Sequence, residues 1–147
     1  MNFEKYAPEA NSFVKEIAME LGPNQDTDQA YRVMKAVFRT LREILTPEES
    51  AHLIAQLPLM LKAVYIDGWN FQAKNRIRSM DAFLACLRSK DEMAAPRDFG
   101  NDETAKTHVK IVLGVLQRHV SAGEIMDVLN QFPGELSELW LAPAKNV

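Results

Sequence analysis

The sequence predicts an all-α protein built from two pseudo-symmetric four-helix repeats packed into one globular domain. Three observations lead to this prediction. Apolar residues recur at the spacing of amphipathic helices, no window alternates apolar and polar residues for long enough to form a strand, and short motifs recur at one constant offset. The chain has 147 residues, of which 47% are hydrophobic, so it is long enough to bury a core without disulfide bonds.

The repeat is clearest around two short motifs. The sequence Gln-Leu-Pro that begins at Gln56 recurs as Gln-Phe-Pro at Gln131, and Thr-Pro-Glu-Glu at Thr46 recurs as Ser-Ala-Gly-Glu at Ser121. Both pairs are separated by the same offset along the chain. The second motif is typical of a capping box, in which the hydroxyl accepts a hydrogen bond from the third amide of a helix and the glutamate side chain returns to the amide of the cap. We therefore expect a helix to begin at the same place in each repeat.

Hydrophobic periodicity divides each repeat into four helices. Val37 and Leu41 lie on the apolar stripe of the longest helix, and Val112 and Leu116 lie at the matching positions of the second repeat, so we expect all four in the core. The predicted helices of the first repeat are 11–21, 27–45, 47–57 and 59–67, and the second repeat continues the pattern to residue 141, with an extended loop at 89–100. The predicted organisation is a first repeat over residues 1–70, a connector over 71–78 and a second repeat over 79–147, within one compact domain.

Composition limits where the protein works and what it binds. The net charge is −3, and residues 71–100 carry six basic and four acidic side chains, an excess too small for nucleic-acid binding by bulk electrostatics. Cys86 is the only cysteine, which favours a reducing compartment. Charges at positions 4 and 5 interrupt any apolar leader, and the longest apolar run contains Pro58 and is too short to span a bilayer. We expect a cytoplasmic protein that does not enter the membrane.

The candidate interaction surface runs from Trp69 through the connector, where two aromatic and three basic side chains lie close together in the sequence. These residues are Trp69, Phe71, Lys74, Arg76 and Arg78. The favoured interpretation is that the aromatic rings cover the seam between the repeats while the basic groups stay in water. Aromatic residues beside arginine are also the composition of protein-interface hot spots, and they can stack bases and contact phosphates. A partner protein and a nucleic acid therefore remain alternative interpretations.

Several of these motifs are shared with one bacterial family. They are the capping box at Thr46, the Gln-Leu-Pro at Gln56, the Tyr-Ile-Asp-Gly-Trp segment ending at Trp69, the Arg-Ile-Arg at Arg76 and the Gln-Phe-Pro at Gln131. From about Phe13 to Trp140 the chain resembles the family catalogued as domain of unknown function 2267. The resemblance implies an all-helical fold with this duplicated arrangement, and it implies no activity and no functional residues.

No motif predicts catalysis, a cofactor or a bound metal. His108 and His119 lie on one predicted helix, about 16 Å apart at 1.5 Å per residue, so they cannot share an ion. His52 is expected to be exposed, and Glu49 is assigned to the capping box. The six glycines form no phosphate-binding loop. The site prediction is therefore limited to the connector, with no catalytic, cofactor-binding or metal-binding residue.

The function that follows is a non-catalytic helical domain that binds another protein or a second copy of itself. The second hypothesis is a nucleic-acid-associated regulator that uses the basic connector. The third is a small-ligand binding protein or an enzyme with a pocket at the seam between the repeats, because pockets favour such seams. A large basic surface would favour the second hypothesis, and a deep polar cleft would favour the third.

Overall fold

All regular secondary structure in the part of the chain that the structure describes is helical. The computed structural model describes residues 2–71 and 76–140, and these contain no strand. The α-helices are α1 (Ala7–Leu21), α2 (Thr27–Ile44), α3 (Pro47–Ala55), α4 (Leu59–Ile66), α5 (Met80–Asp91), α6 (Ala95–Phe99), α7 (Asp102–His119) and α8 (Ala122–Asn130). Short 3-10 helices cover Phe3–Tyr6, Glu92–Ala94 and Gly134–Leu139. The prediction of an all-α protein is confirmed.

Side-chain caps begin the main helices, and those at Thr46 and Ser121 are the ones that the sequence predicts. The carboxylate of Asp26 caps α2, and the side-chain oxygen of Asn101 caps α7. The hydroxyl of Thr46 accepts from the third amide of α3 at 3.1 Å, and the hydroxyl of Ser121 does the same for α8 at 3.2 Å. Each cap gives one otherwise unpaired amide of the first turn a partner, which fixes where the helix starts.

The other hydrogen bond predicted for the capping box is wrong, because the glutamate side chain does not accept from the backbone amide of the capping residue. The amide of Thr46 instead donates to Oε1 of Gln131 at 2.9 Å, and the amide of Ser121 donates to Oε1 of Gln56 at 2.7 Å. The same glutamine amides also donate to the two hydroxyls, at 3.4 Å and 3.2 Å. The glutamine of each Gln-Leu-Pro or Gln-Phe-Pro motif thus completes a helix cap in the other part of the chain.

The predicted loop between residues 89 and 100 is largely helical. Pro96 lies in the first turn of α6, where its missing amide leaves no hydrogen bond unmade. Phe99 is fully buried and attaches α6 to the core, and Gly100 ends the helix with a φ of +46°. Apolar periodicity cannot detect a five-residue helix that contributes one large core residue, and this explains the error.

Two helix boundaries also differ from the prediction. The helix expected at residues 11–21 begins at Ala7, because Pro8 is compatible with a first helical turn. The last helix expected in the second repeat is instead the 3-10 helix Gly134–Leu139. Glycine in its first turn has low α-helix propensity, and a six-residue segment is short enough for the tighter helix.

The core is one continuous cluster in which helices from both ends of the chain alternate. Helix α2 packs most extensively against α5 and α1, and α1 also packs against α7. Val37, Leu41, Val112 and Leu116 are all fully buried, so the prediction for these four residues is confirmed. The first helix on each side of the connector therefore covers the long helix of the other side. The division into pseudo-symmetric repeats stays a prediction.

Candidate functional site: the connector surface and a carboxyl–imidazole cluster

The connector leaves α4 through a turn that a buried arginine stabilises. Gly68 has a φ of +69°, a conformation that glycine adopts without strain. The guanidinium of Arg42 donates to the carbonyl of Tyr65 at 2.9 Å and to that of Asp67 at 2.8 Å. Arg42 is only 6% exposed, so the two carbonyls at the end of α4 accept hydrogen bonds from a charged group that is largely shielded from water. The start of the connector is consequently fixed by the body of the protein.

Trp69 and Phe71 form an aromatic pair at this turn. Their ring centroids are 4.5 Å apart, and the Trp69 ring also lies 5.8 Å from that of Tyr65 in an edge-on arrangement. The guanidinium carbon of Arg42 lies 5.8 Å from the Trp69 centroid, within cation–π range. Trp69 is half-buried against the core, whereas Phe71 is 60% exposed. Trp69 is therefore held in place by the core, and the exposed Phe71 ring packs against it.

The basic residues of the connector lie on its outer side. Arg76 and Arg78 are exposed, and Ile77 between them is buried, so the backbone alternates its side chains between water and core. Lys74 lies outside the described residues. We use the name connector surface for Trp69, Phe71, Arg76 and Arg78.

A cleft of about 260 Å³ lies beside the connector at the seam between the two ends of the chain. It is lined by Glu43, Ile44, Arg76, Ile77, Arg78, Gln131 and Pro133. Both exposed arginines therefore border one depression, together with an acidic and an amide side chain. The cleft is smaller than the roughly 300–1,000 Å³ of typical small-molecule pockets.

A second cluster, which the sequence did not predict, lies where α3 meets α8. Glu49 of α3 and Glu124 of α8 face each other, and the imidazole of His52 lies one turn along α3. One ligand atom from each of the three residues lies within 4.8 Å of the others. The two glutamates are 8% and 7% exposed, and His52 is exposed. We call these three residues the carboxyl–imidazole cluster.

Glu49 and Glu124 are buried so close together that ionising both carboxyl groups at once is unfavourable. Burial, reinforced by the hydrogen bond and the charge of Glu49, raises the pKa of Glu124 to about 8. The sequence missed the pair because each glutamate has the spacing of a capping-box residue. A usable signal was present: Glu49 and Glu124 are separated by the same offset as the two capping glutamines, which bond across the same two helices.

Another pair of carboxyl groups lies between α2, α5 and α6. Arg32 donates to both oxygens of the fully buried Asp98, at 2.8 Å and 2.9 Å. Burial, together with the hydrogen bond and charge of Asp98, raises the pKa of Asp91 to about 7. Because Asp98 is buried and accepts two charge-assisted hydrogen bonds, the ion pair of Arg32 and Asp98 attaches α6 to α2.

Comparison with known proteins identifies the family of this chain. No helix among the described residues combines the length and apolarity that a bilayer span requires. No curated protein matches this chain. The family model described as uncharacterized conserved protein (DUF2267) matches residues 10–139, which extends from α1 to the last 3-10 helix. The chain therefore belongs to the DUF2267 family.

Proposed function

We propose that this chain is a non-catalytic helical domain that binds another protein, or a second copy of itself, through the connector surface. The observation that carries the proposal is Phe71, a phenylalanine that is 60% exposed and rests on a fixed tryptophan. Large exposed aromatic side chains beside arginine are enriched at the centres of protein interfaces.

Preorganisation of the connector supports this function. Trp69 has the Tyr65 ring on one side and the Arg42 guanidinium within 5.8 Å, so little side-chain entropy is lost when a partner covers it. Arg76 and Arg78 border the cleft beside Gln131, so the connector also offers a partner charged and amide groups. An apolar centre with a polar rim is the usual anatomy of a protein interface.

The proposal is tested by comparing the proteins captured by the intact chain with those captured by Phe71→Ala. We expect a partner that the intact chain captures and Phe71→Ala loses, because truncation of a hot-spot aromatic costs at least about 2 kcal/mol, or roughly thirtyfold in affinity. Sedimentation at increasing protein concentration tests whether the partner is a second copy of the chain. Self-association that disappears in Phe71→Ala would identify the partner as the chain itself.

Phe3→Ala is the matched control, because Phe3 is also a highly exposed phenylalanine, 71% exposed in the 3-10 helix before α1. Phe3→Ala should keep the partner. If Phe71→Ala and the intact chain capture the same proteins with the same affinity and show the same oligomeric state, the connector surface does not have this function.

Nucleic acid is the second candidate, favoured by the exposure of both Arg76 and Arg78. Phosphate contacts by basic side chains give an affinity that falls steeply with salt. We expect binding to mixed DNA and RNA no tighter than the non-specific range of about 10⁻⁴–10⁻⁶ M. Tighter binding that is lost in the double variant Arg76→Ala/Arg78→Ala would reverse the ranking of the two candidates.

A further inference from the structure

The carboxyl–imidazole cluster joins two helices that are far apart in the sequence. Glu49 and His52 lie on one face of α3, because residues three apart on a helix are neighbours. Glu124 comes from α8, which packs against α3. Nδ1 of His52 is 4.0 Å from Oε1 of Glu49, and the ligand atoms of all three residues lie within 4.8 Å of one another. Three groups that ligate metals therefore converge from two helices.

One oxygen of each carboxyl group in this cluster is buried without a hydrogen-bond partner. Oε2 of Glu49 and Oε2 of Glu124 are both inaccessible to water, and neither has a hydrogen-bond partner among the described residues. Burying a carboxylate without a donor is costly, so buried carboxylates in proteins are normally paired or coordinate a metal. The neighbouring glutamines do not satisfy them, because their amides donate to the hydroxyls of Thr46 and Ser121.

Asp127 adds a negative charge beside the cluster. Asp127 lies three residues after Glu124, as His52 lies three residues after Glu49, and its charge acts on Glu124. No cationic side chain among the described residues forms an ion pair of 4 Å or less with Glu124, and Glu49 pairs only with His52. Buried carboxyl oxygens beside an imidazole, with no lysine or arginine paired to them among the described residues, are suited to hold a cation.

We propose that Glu49, His52 and Glu124 bind a divalent transition-metal ion that links α3 to α8. The imidazole selects the class, because nitrogen ligands suit Zn²⁺ and its neighbours, whereas Mg²⁺ and Ca²⁺ prefer oxygen ligands alone. Three protein ligands leave further coordination positions for water. Asp127 is exposed one turn after Glu124, where its charge favours entry of the cation.

The required rearrangement is small and falls on a side chain that is free to rotate. Zinc–ligand distances of about 2.0–2.2 Å place tetrahedral ligands roughly 3.3–3.5 Å apart, so the longest separation must shorten by about 1–1.5 Å. His52 is exposed, with 59% of its side-chain surface accessible, so it can rotate towards the carboxylates without disturbing the core. The same exposure gives an ion a path from solvent.

Zn²⁺ binding by the full chain, measured by calorimetry after chelator treatment, tests the site. We expect one Zn²⁺ per chain, no comparable binding of Mg²⁺, and a rise in melting temperature with Zn²⁺, because an ion that binds only the folded state stabilises it. His52→Ala and Glu124→Gln should each weaken the affinity at least about tenfold, since loss of even an outer-shell partner of a metal ligand costs roughly 10–100-fold.

The control is Glu16→Gln, which alters another histidine–carboxylate pair. Oε1 of Glu16 lies 2.7 Å from Nε2 of His119, the Glu16 carboxylate is more exposed than that of Glu49, and this pair lacks a second carboxylate buried without a donor. Glu16→Gln should retain Zn²⁺ binding. Equal weakening by Glu16→Gln would mean that surface histidines bind Zn²⁺ non-specifically, and unchanged binding by both His52→Ala and Glu124→Gln would likewise overturn the proposal. His52 is exposed, so loss of binding in His52→Ala cannot be attributed to unfolding.

Discussion

At the scale of single residues, one arginine lies beside two neighbouring carboxyl groups, those of Asp98 and Asp91, and pairs with only one of them. Arg32 pairs with Asp98 through two hydrogen bonds, and Asp91 lies against this pair as a carboxyl group with no cation of its own at bonding distance among the described residues. The charges that act on Asp91 are those of Asp98 on α6 and of Arg32 and Lys35 on α2. Arg32 bonds to the buried Asp98 and not to the half-buried Asp91, so the Asp91 carboxyl group favours its neutral form.

Replacing Asp91 with asparagine should reduce the dependence of stability on pH. The pKa of Asp91 is about 7 in the folded protein, above its ordinary value of 3.8, so the folded state binds a proton that the unfolded state releases. The contribution of Asp91 to the free energy of unfolding is therefore greatest at low pH and falls as the pH rises from about 4 to about 7. In Asp91→Asn the side-chain amide donates to Asp98 at every pH, so this part of the decline should disappear.

Urea unfolding between pH 5 and pH 8 measures this slope. Asp81→Asn is the control, because Asp81 is an exposed carboxyl group on the same helix. It should shift the stability by a similar amount at every pH in this interval. A slope in Asp91→Asn as steep as in the unchanged protein would show that the Asp91 carboxyl group does not retain its proton on folding.

At the scale of helices, α3 and α8 each begin with a cap that the opposite end of the chain completes. The hydroxyl of Ser121 belongs to the helix that it caps, whereas Gln56 comes from the other side of the connector and binds both the amide and the hydroxyl of Ser121. Helix initiation and the packing of α3 on α8 therefore depend on the same hydrogen bonds.

The effects of Ser121→Ala and Gln56→Ala on stability should not be additive. Ser121→Ala alone should cost about 0.5–2 kcal/mol, the usual value of a lost helix cap. Since Gln56 bonds to the same residue, the double variant should be more stable than the sum of the single losses predicts, by about 0.5 kcal/mol or more. A double-mutant cycle from urea unfolding gives this coupling. Gln56→Ala combined with Asn101→Ala, a cap to which Gln56 does not bond, should be additive.

The helix starts could be predicted because capping is local. Asp26, Thr46, Asn101 and Ser121 each bond to an amide three residues away, so their roles are visible in the sequence. The capping glutamines and the pair formed by Glu49 and Glu124 could not be predicted in this way, because their partners lie on the other side of the connector. Such contacts are set by how helices pack, and one sequence specifies packing only through its apolar faces.

At the scale of the whole molecule, neither end of the chain has a complete core of its own. Helix α5 covers α2, and α1 packs against α7, so each long helix depends on a helix from the other side of the connector. Phe13 of α1 and Phe83 of α5 are both fully buried in the single core cluster. Separating the two sides would expose both rings together with the helix faces against which they pack.

Fragments covering residues 1–71 and 76–147 should therefore not fold separately. Burying a large apolar side chain contributes about 1.5–3 kcal/mol, so the loss of several such contacts exceeds the typical stability of roughly 5–15 kcal/mol. We expect each fragment to melt without a cooperative transition, and an equimolar mixture to recover helical circular dichroism and a sigmoidal melt. A cooperative transition in either fragment alone would mean that its core is self-sufficient.

The contact between α1 and α7 also affects the chain while it is being synthesised. Helix α7 is complete only at His119, well after α4 ends at Ile66. Ribosomes add about 5–20 residues per second, so once α4 has been made the part of α1 that packs against α7 stays uncovered for roughly 3–10 s. During that time the emerging helices present uncovered apolar surface, which chaperones bind and on which neighbouring nascent chains aggregate. For this protein, the speed of translation through residues 67–119 should influence how much of the product reaches the native state.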